Sequence, residues 1–284
     1  MLCGVQPPSE QASHPERKPL TVSPRFRNLA IVAATALTLT AGVAYAATQT
    51  IERYPSWTIS PADPEAKNHK GKLTFGLGGK FPDAGYTVKK SVRDGEDVEL
   101  LNGADGEDWF TKDTPFGEAF GPTGPKSPEV NKVRYIKIRV EGSVATTTYT
   151  FERPTPANRF GFAVSDIDLD RLEITAKDSN GRAVAGSDFA GGVFNFCNVP
   201  AAGRPEGCEG QRSTIKPRLK STSNGVLLTG KTDDDEEGAS AWFRPTVKIK
   251  RITFVFRGAR VSGSPSYRTW FAAKVKKQTD AVTG

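Results

Sequence analysis

The feature that most restricts this chain is a two-residue rhythm of apolar and polar side chains that sets in at Val133. In 133–140, Ile136, Ile138 and Val140 share one face, while Lys137 and Arg139 take the other. Side chains of an extended chain point alternately to opposite faces, so this period specifies a half-buried strand and excludes a helix of period 3.6. The rhythm returns in 146–151, where Tyr149 and Phe151 oppose Thr148 and Thr150. It returns again at Phe160, Phe162 and Val164, and at Leu172, Ile174 and Ala176. Between these runs, Arg153-Pro154-Thr155-Pro156 is too proline-rich for a central strand. Asp178-Ser179-Asn180-Gly181 predicts a turn, with a hairpin returning through Ala183 and Ala185.

One late run breaks its own parity. Val247 and Ile249 are odd, whereas Ile252, Phe254 and Phe256 are even. A flat strand cannot bury both sets on one side, so a β-bulge at Lys250-Arg251 is expected. Strand signals upstream are shorter: Trp57 with Ile59, then 72–77, 86–90 and 98–101. The stretch 111–129 carries Pro115, Pro122, Pro125 and Pro128 and reads as a long surface loop. Nowhere does a strand alternate regularly with an amphipathic helix, which argues against a parallel α/β sheet. The expected class is all-β: an antiparallel β-sandwich, with the jelly roll as its specific candidate, forming a single domain over 47–276 and leaving 277–284 as a tail.

Ahead of that domain, residues 29–46 read LAIVAATALTLTAGVAYA, behind Arg17, Lys18, Arg25 and Arg27. Basic, apolar and small-residue regions in that order are the signature of a cleaved secretory leader, so 1–46 is expected to be a signal peptide. The apolar run falls short of the roughly 20 residues that span a bilayer. The expected location is secreted or extracellular, with no transmembrane segment once the leader is gone. The chain carries 39 basic and 32 acidic side chains, a net charge of +7. With no run of five or six cations, nucleic acid is not an expected partner. An anionic cell-wall polymer, a glycan or another extracellular protein suits a mildly basic exported chain better.

With Cys3 in the leader, Cys197 and Cys208 remain as an even pair around a loop-like segment, and an oxidising compartment predicts a structural disulfide between them. Two acidic sets are candidate metal ligands. Asp166, Asp168 and Asp170 follow the parity of Phe160, Phe162 and Val164, so an unbroken strand would bury three carboxylates; the chain must therefore turn near Ser165. Hard oxygens gathered in such a turn suit Ca²⁺. The EF-hand pattern fails, however, because its sixth position is Arg171 and its twelfth is Lys177. The second set is 233–237, in which Asp233 and Asp235 are candidate co-ligands should the two loops meet.

Aromatic faces stack on sugar rings, and Trp57, Trp109, Trp242, Trp270 and Tyr267 are the candidates. Trp109, in an acidic loop, and Trp242, within Ala241-Trp242-Phe243, are the best placed. No catalytic residue is assigned. The exported chain has one histidine, His69, in a polar stretch where it is expected to face solvent, and no G-x-S-x-G accompanies it.

The segment 148–170, TYTFERPTPANRFGFAVSDIDLD, resembles extracellular β-sandwich modules of bacterial, actinobacterial-type surface proteins, a group whose members carry varied cell-surface anchors. Ala241-Trp242-Phe243 and Tyr267-Arg268-Thr269-Trp270 fit the same plan, and the likeness covers about half of the exported chain. It implies an exported, non-catalytic domain, with Asp166 and Asp168 as the residues that carry over. The function expected from the sequence is a secreted binding or structural module, Ca²⁺-stabilised if the acidic loops bind metal, acting at the cell surface or in the extracellular matrix. The alternatives are a carbohydrate-binding module and a secreted hydrolase of polysaccharide.

Overall fold

The rhythm of the sequence becomes burial, strand by strand. Ile136, Ile138, Val140, Tyr149, Phe151, Phe160, Phe162, Val164, Leu172 and Ile174 are all essentially inaccessible to solvent. The computed structural model describes residues 49–90, 97–102, 109–124, 134–140, 142–208, 210–231, 238–259 and 265–277, all within the unit Tyr45–Gly284. The described strands are β1 (Gln49–Arg53), β2 (Ser56–Ser60), β3 (Asn68–Thr74), β4 (Ala84–Lys90), β5 (Asp97–Asn102), β6 (Arg134–Arg139), β7 (Val144–Phe151), β8 (Phe160–Ser165), β9 (Arg171–Lys177), β10 (Phe189–Asn195), β11 (Arg218–Thr222), β12 (Gly225–Thr229), β13 (Ala239–Pro245), β14 (Arg251–Arg257) and β15 (Ser266–Lys277). One short helix, α1 (Pro115–Phe120), lies in the proline-rich stretch.

Every described pairing is antiparallel, and the strands form two sheets. The seven-stranded sheet runs β10-β13-β8-β15-β6-β5, with β1 beside the second half of β15; the eight-stranded sheet runs β11-β12-β9-β14-β7-β4-β3-β2. From β6 to β9, and again from β12 to β15, the chain changes sheet at each step. The central orders β6-β15-β8-β13 and β7-β14-β9-β12 follow from that winding and are those of a jelly roll. The fold is therefore an antiparallel β-sandwich of jelly-roll order.

Between the sheets lies an aromatic core centred on Phe271, whose ring is 4.6 Å from Tyr149, 5.6 Å from Phe160 and 5.7 Å from Trp57. A second core lies on the outer face of the seven-stranded sheet, where Trp270 stacks on Tyr135 at 4.4 Å and meets Phe110 at 4.6 Å. Adjacent residues Trp270 and Phe271 are both fully buried because β15 is covered on both faces. The exposed-aromatic expectation is thus corrected for Trp57, Trp270 and Tyr267, which are core residues. His69 is corrected too: it is an inward position of β3, 2% exposed, with Nδ1 3.3 Å from the Pro61 carbonyl.

The parity fault near 250 is resolved differently from a bulge. Regular pairing starts only at Arg251, and the preceding segment is irregular. Thr155 holds that segment, its Oγ1 accepting from Ile249 N at 3.1 Å and its own N–H donating to Ile249 O at 2.8 Å. Ending the strand lets Ile249 enter the core without forcing the next residues out of register. The turn after Lys177 forms, with Gly181 at φ 78° and Asp178 Oδ1 accepting from Asn180 N and Arg182 N. Its return arm is a single bridge, Lys177 to Ala183, before the chain crosses to the other sheet.

Three buried tyrosines make the core alkali-sensitive. Desolvation raises the phenols of Tyr86, Tyr149 and Tyr267 above their ordinary value near 10; at Tyr149 its tyrosine neighbours add to the effect, and at Tyr267 a hydrogen bond with Thr147 opposes it. The folded protein keeps protons that the unfolded chain gives up above about pH 10, so stability is intact below that pH and falls as pH rises through it. Each such group contributes a slope of about 1.4 kcal/mol per pH unit there. Tyr149 Oη is buried without a hydrogen-bond partner among the described residues. Tyr149→Phe should therefore leave urea stability at pH 7 unchanged or up to about 1 kcal/mol higher, and should raise the pH midpoint of alkaline unfolding.

Candidate functional site

A cleft of about 560 Å³ opens where the proline-rich segment meets the disulfide loop. That is the size of ordinary small-ligand sites. One wall is Trp109, Thr111, Lys112, Asp113, Pro122 and Gly124; the other is Pro200, Ala202, Gly203 and Arg204.

The first wall is a closed, pinned loop. Phe110 N donates to Thr123 Oγ1 at 2.7 Å, and Thr123 N returns a bond to Phe110 O at 2.9 Å, which fixes both ends. Inside it, Thr114 caps α1 by accepting from Gly117 N at 3.1 Å, and Pro115 occupies the first helical turn. Phe110, Phe116 and Phe120 face down into the outer-face core and are fully buried. Two glycines allow the close contacts. A Cβ on Gly161 of β8 would lie 2.1 Å from the Phe120 ring, and one on Gly124 would lie 2.3 Å from Trp109 Cδ1. Phe120 thus seats the loop on the sheet, and the half-buried Trp109 indole rests over Gly124 at the cleft.

The second wall is held by the Cys197–Cys208 disulfide, whose Cα atoms are 5.5 Å apart, the pairing expected from the sequence. Phe194 and Phe196 anchor the loop's base against Phe110, with ring centroids 5.4 and 6.1 Å away. Arg204 turns inward on its own loop, donating to Val199 O through Nε and Nη2 and to Gly210 O through Nη1. Its guanidinium therefore braces the wall. The exposed charges at the cleft are Lys112 and Asp113, and Asp113 is the one carboxylate among the described lining residues. Trp242 is not a lining residue. It is half-buried on β13, opposite Gly192 and Ala163, and packs on the outer-face core.

The expected break in the chain after Ser165 is present. β8 ends there, and Asp166 adopts φ 67°, a left-handed conformation that Asp tolerates better than most residues. The Asp166 carboxylate is 3.4 Å from Arg268 Nη1 and accepts from Ser266 Oγ. Asp168 Oδ1 accepts from Leu169 N at 3.1 Å, and Asp170 Oδ1 from Ala259 N at 2.7 Å. The three carboxylates face different protein groups, and no cluster of three His, Cys, Asp or Glu side chains suited to a metal occurs among the described residues. Asp233 and Asp235 lie outside the described residues. The described flanks of their segment do reach this turn: Gly230 N donates to Asp170 O at 2.8 Å, and Ile167 N donates to Ala239 O at 3.1 Å.

Sequence reasoning found Trp109 but missed the rest of the cleft. Thr114-Pro115 was a legible helix start. Nothing local pointed to 200–204, which reach the site only through the disulfide and the outer-face core.

No family model matches the chain, and no curated protein matches it. Among solved structures, the enzymatically active domain of tailspike protein 4 from bacteriophage CBA120 is similar at 14% identity and a TM-score of 0.26, over 68% of this chain. The match spans 19% of that chain, about a fifth of its length, and a likeness at this level carries no weight for fold or function.

Proposed function

We propose that the protein is an extracellular binding module that takes up a sugar ring against Trp109. The observation that carries this reading is the cleft itself, which sets an indole beside one exposed cation, Lys112, and one exposed carboxylate, Asp113, between two braced walls. An aromatic face supplies apolar contact for the C–H face of a pyranose, and the flanking polar groups supply hydrogen bonds that orient it. The walls are fixed before any ligand arrives, which reduces the ordering cost of binding. The disulfide suits an oxidising compartment outside the cell, in keeping with the leader read from the sequence.

A panel of neutral and acidic oligosaccharides, titrated by calorimetry, tests this. At least one should bind, and Trp109→Ala should weaken it about thirtyfold, as loss of a central aromatic anchor does. Trp242→Ala should leave the affinity within about twofold, since Trp242 does not line the cleft. A panel with no binder, or a Trp109→Ala variant that binds like the parent, would end the proposal.

A further inference from the structure

On the opposite side of the sandwich, the outer face of the eight-stranded sheet gathers charge that the sequence scatters. Outward positions on its described strands carry nine Lys or Arg and a single acid, Glu173. Two directly opposed cross-strand pairs join like charges: Arg251 faces Lys177, and Arg257 faces Arg171. Like charges in that position destabilise a sheet. On the other sheet Arg139 stands opposite Asp97 in an ion pair of 3.1 Å and Lys137 opposite Glu99, and where Arg268 faces Lys137 the Asp166 carboxylate lies 3.4 Å from Arg268. The fold therefore matches cross-strand charges where β5 meets β6 and opposes like charges where β14 meets β9.

The remaining cations border the face. Lys70, Lys72 and Lys89 stand on β3 and β4, and Arg218 and Lys220 on the edge strand β11. All nine are exposed, and none forms an ion pair with a described residue. Between the borders runs a row in register across four adjacent strands, Thr87, Thr148, Thr253 and Thr175. The Thr148 and Thr253 hydroxyls are 3.3 Å apart. At about 4.8 Å per strand, β3 to β11 spans about 29 Å, a length of several sugar residues. The described outward positions hold no aromatic residue, whereas surfaces that grip single-stranded nucleic acid stack its bases on aromatic side chains. Among the described residues this face is built of strands, with no projecting helix to read a duplex.

We infer that this face binds a linear anionic polysaccharide, laid across the strands with its hydroxyls over the threonine row and its acidic groups reaching the cations on both borders and at the ends of β9 and β14. A bound polyanion offsets the repulsion built into the Arg251–Lys177 and Arg257–Arg171 pairs. The site is separate from the Trp109 cleft, which lies beyond the other sheet.

Calorimetric titration with polygalacturonate and with dextran sulfate tests the inference, with neutral dextran, a single-stranded oligothymidylate and phosphatidylglycerol vesicles run alongside. Both anionic glycans should bind, neutral dextran should not, and affinity should fall steeply between about 50 and about 200 mM salt. Arg171→Gln with Arg257→Gln should weaken binding roughly tenfold or more without lowering the melting temperature, because it relieves a repulsion. Lys137→Gln with Lys276→Gln removes the same charge from the other sheet and should change affinity about twofold at most. Trp109→Ala should have no effect, which keeps this result distinct from that of the cleft. The inference is overturned by absence of anionic-glycan binding, by equal losses from the two double variants, or by tighter binding to the oligonucleotide or the vesicles.

Discussion

Trp270→Ala is expected to destabilise the protein by about 3–5 kcal/mol, read as a lower urea midpoint at unchanged slope. The indole is fully buried on the outer face of β15, stacked on Tyr135 and edge-on to Phe110. Removing it leaves a cavity beneath the loop that carries Trp109, where Phe110 also meets Phe116, Phe194 and Phe196. Trp270→Phe should cost much less, because Nε1 has no hydrogen-bond partner among the described residues and only packing volume is lost. Limited proteolysis adds a local readout: cleavage in 109–124 should appear in Trp270→Ala well below the global midpoint. A loss under about 1 kcal/mol for Trp270→Ala would mean that the loop does not close over the sheet as described.

Cys197→Ala with Cys208→Ala comes next in size, at about 3 kcal/mol. The bond closes a sequence separation of 11, and releasing it returns that loop entropy to the unfolded chain. Alanine is the better replacement, since both sulfurs are buried and serine would add an unsatisfied hydroxyl. The functional loss should exceed the stability loss. Pro200, Ala202, Gly203 and Arg204 all lie inside the bonded loop, so one wall of the cleft loses its frame. The core between the sheets contains neither cysteine and should stay folded at 25 °C. Near-ultraviolet circular dichroism that retains its aromatic bands, together with lost oligosaccharide binding, is the expected pair of results. Binding that survives reduction would separate the cleft from the disulfide loop.

The inward faces from Val133 onward were legible because alternation is a local property. Phe160, Phe162 and Val164 point to one side whatever lies beside them, and Cys197 and Cys208 flank a short loop-like segment that a disulfide can close. The turn after Ser165 was equally legible, because three carboxylates cannot enter an apolar layer together. Trp57, Trp270 and Tyr267 were misjudged for the complementary reason. A large aromatic is equally compatible with a platform and with a core, and which it becomes depends on what covers its face.

What the chain alone determined is which side chains turn inward along each strand, since that requires only the two-residue period of extended backbone. Its winding decided the rest. Crossing between sheets brought β9 beside β14, so Arg171 and Arg257, 86 positions apart in sequence, stand directly opposite each other. The same winding brought 109–124 over Trp270 and the disulfide loop beside Trp109. Cross-strand neighbours are set by register between distant segments, so charge spread along the sequence became one basic face, and two unrelated loops became one cleft.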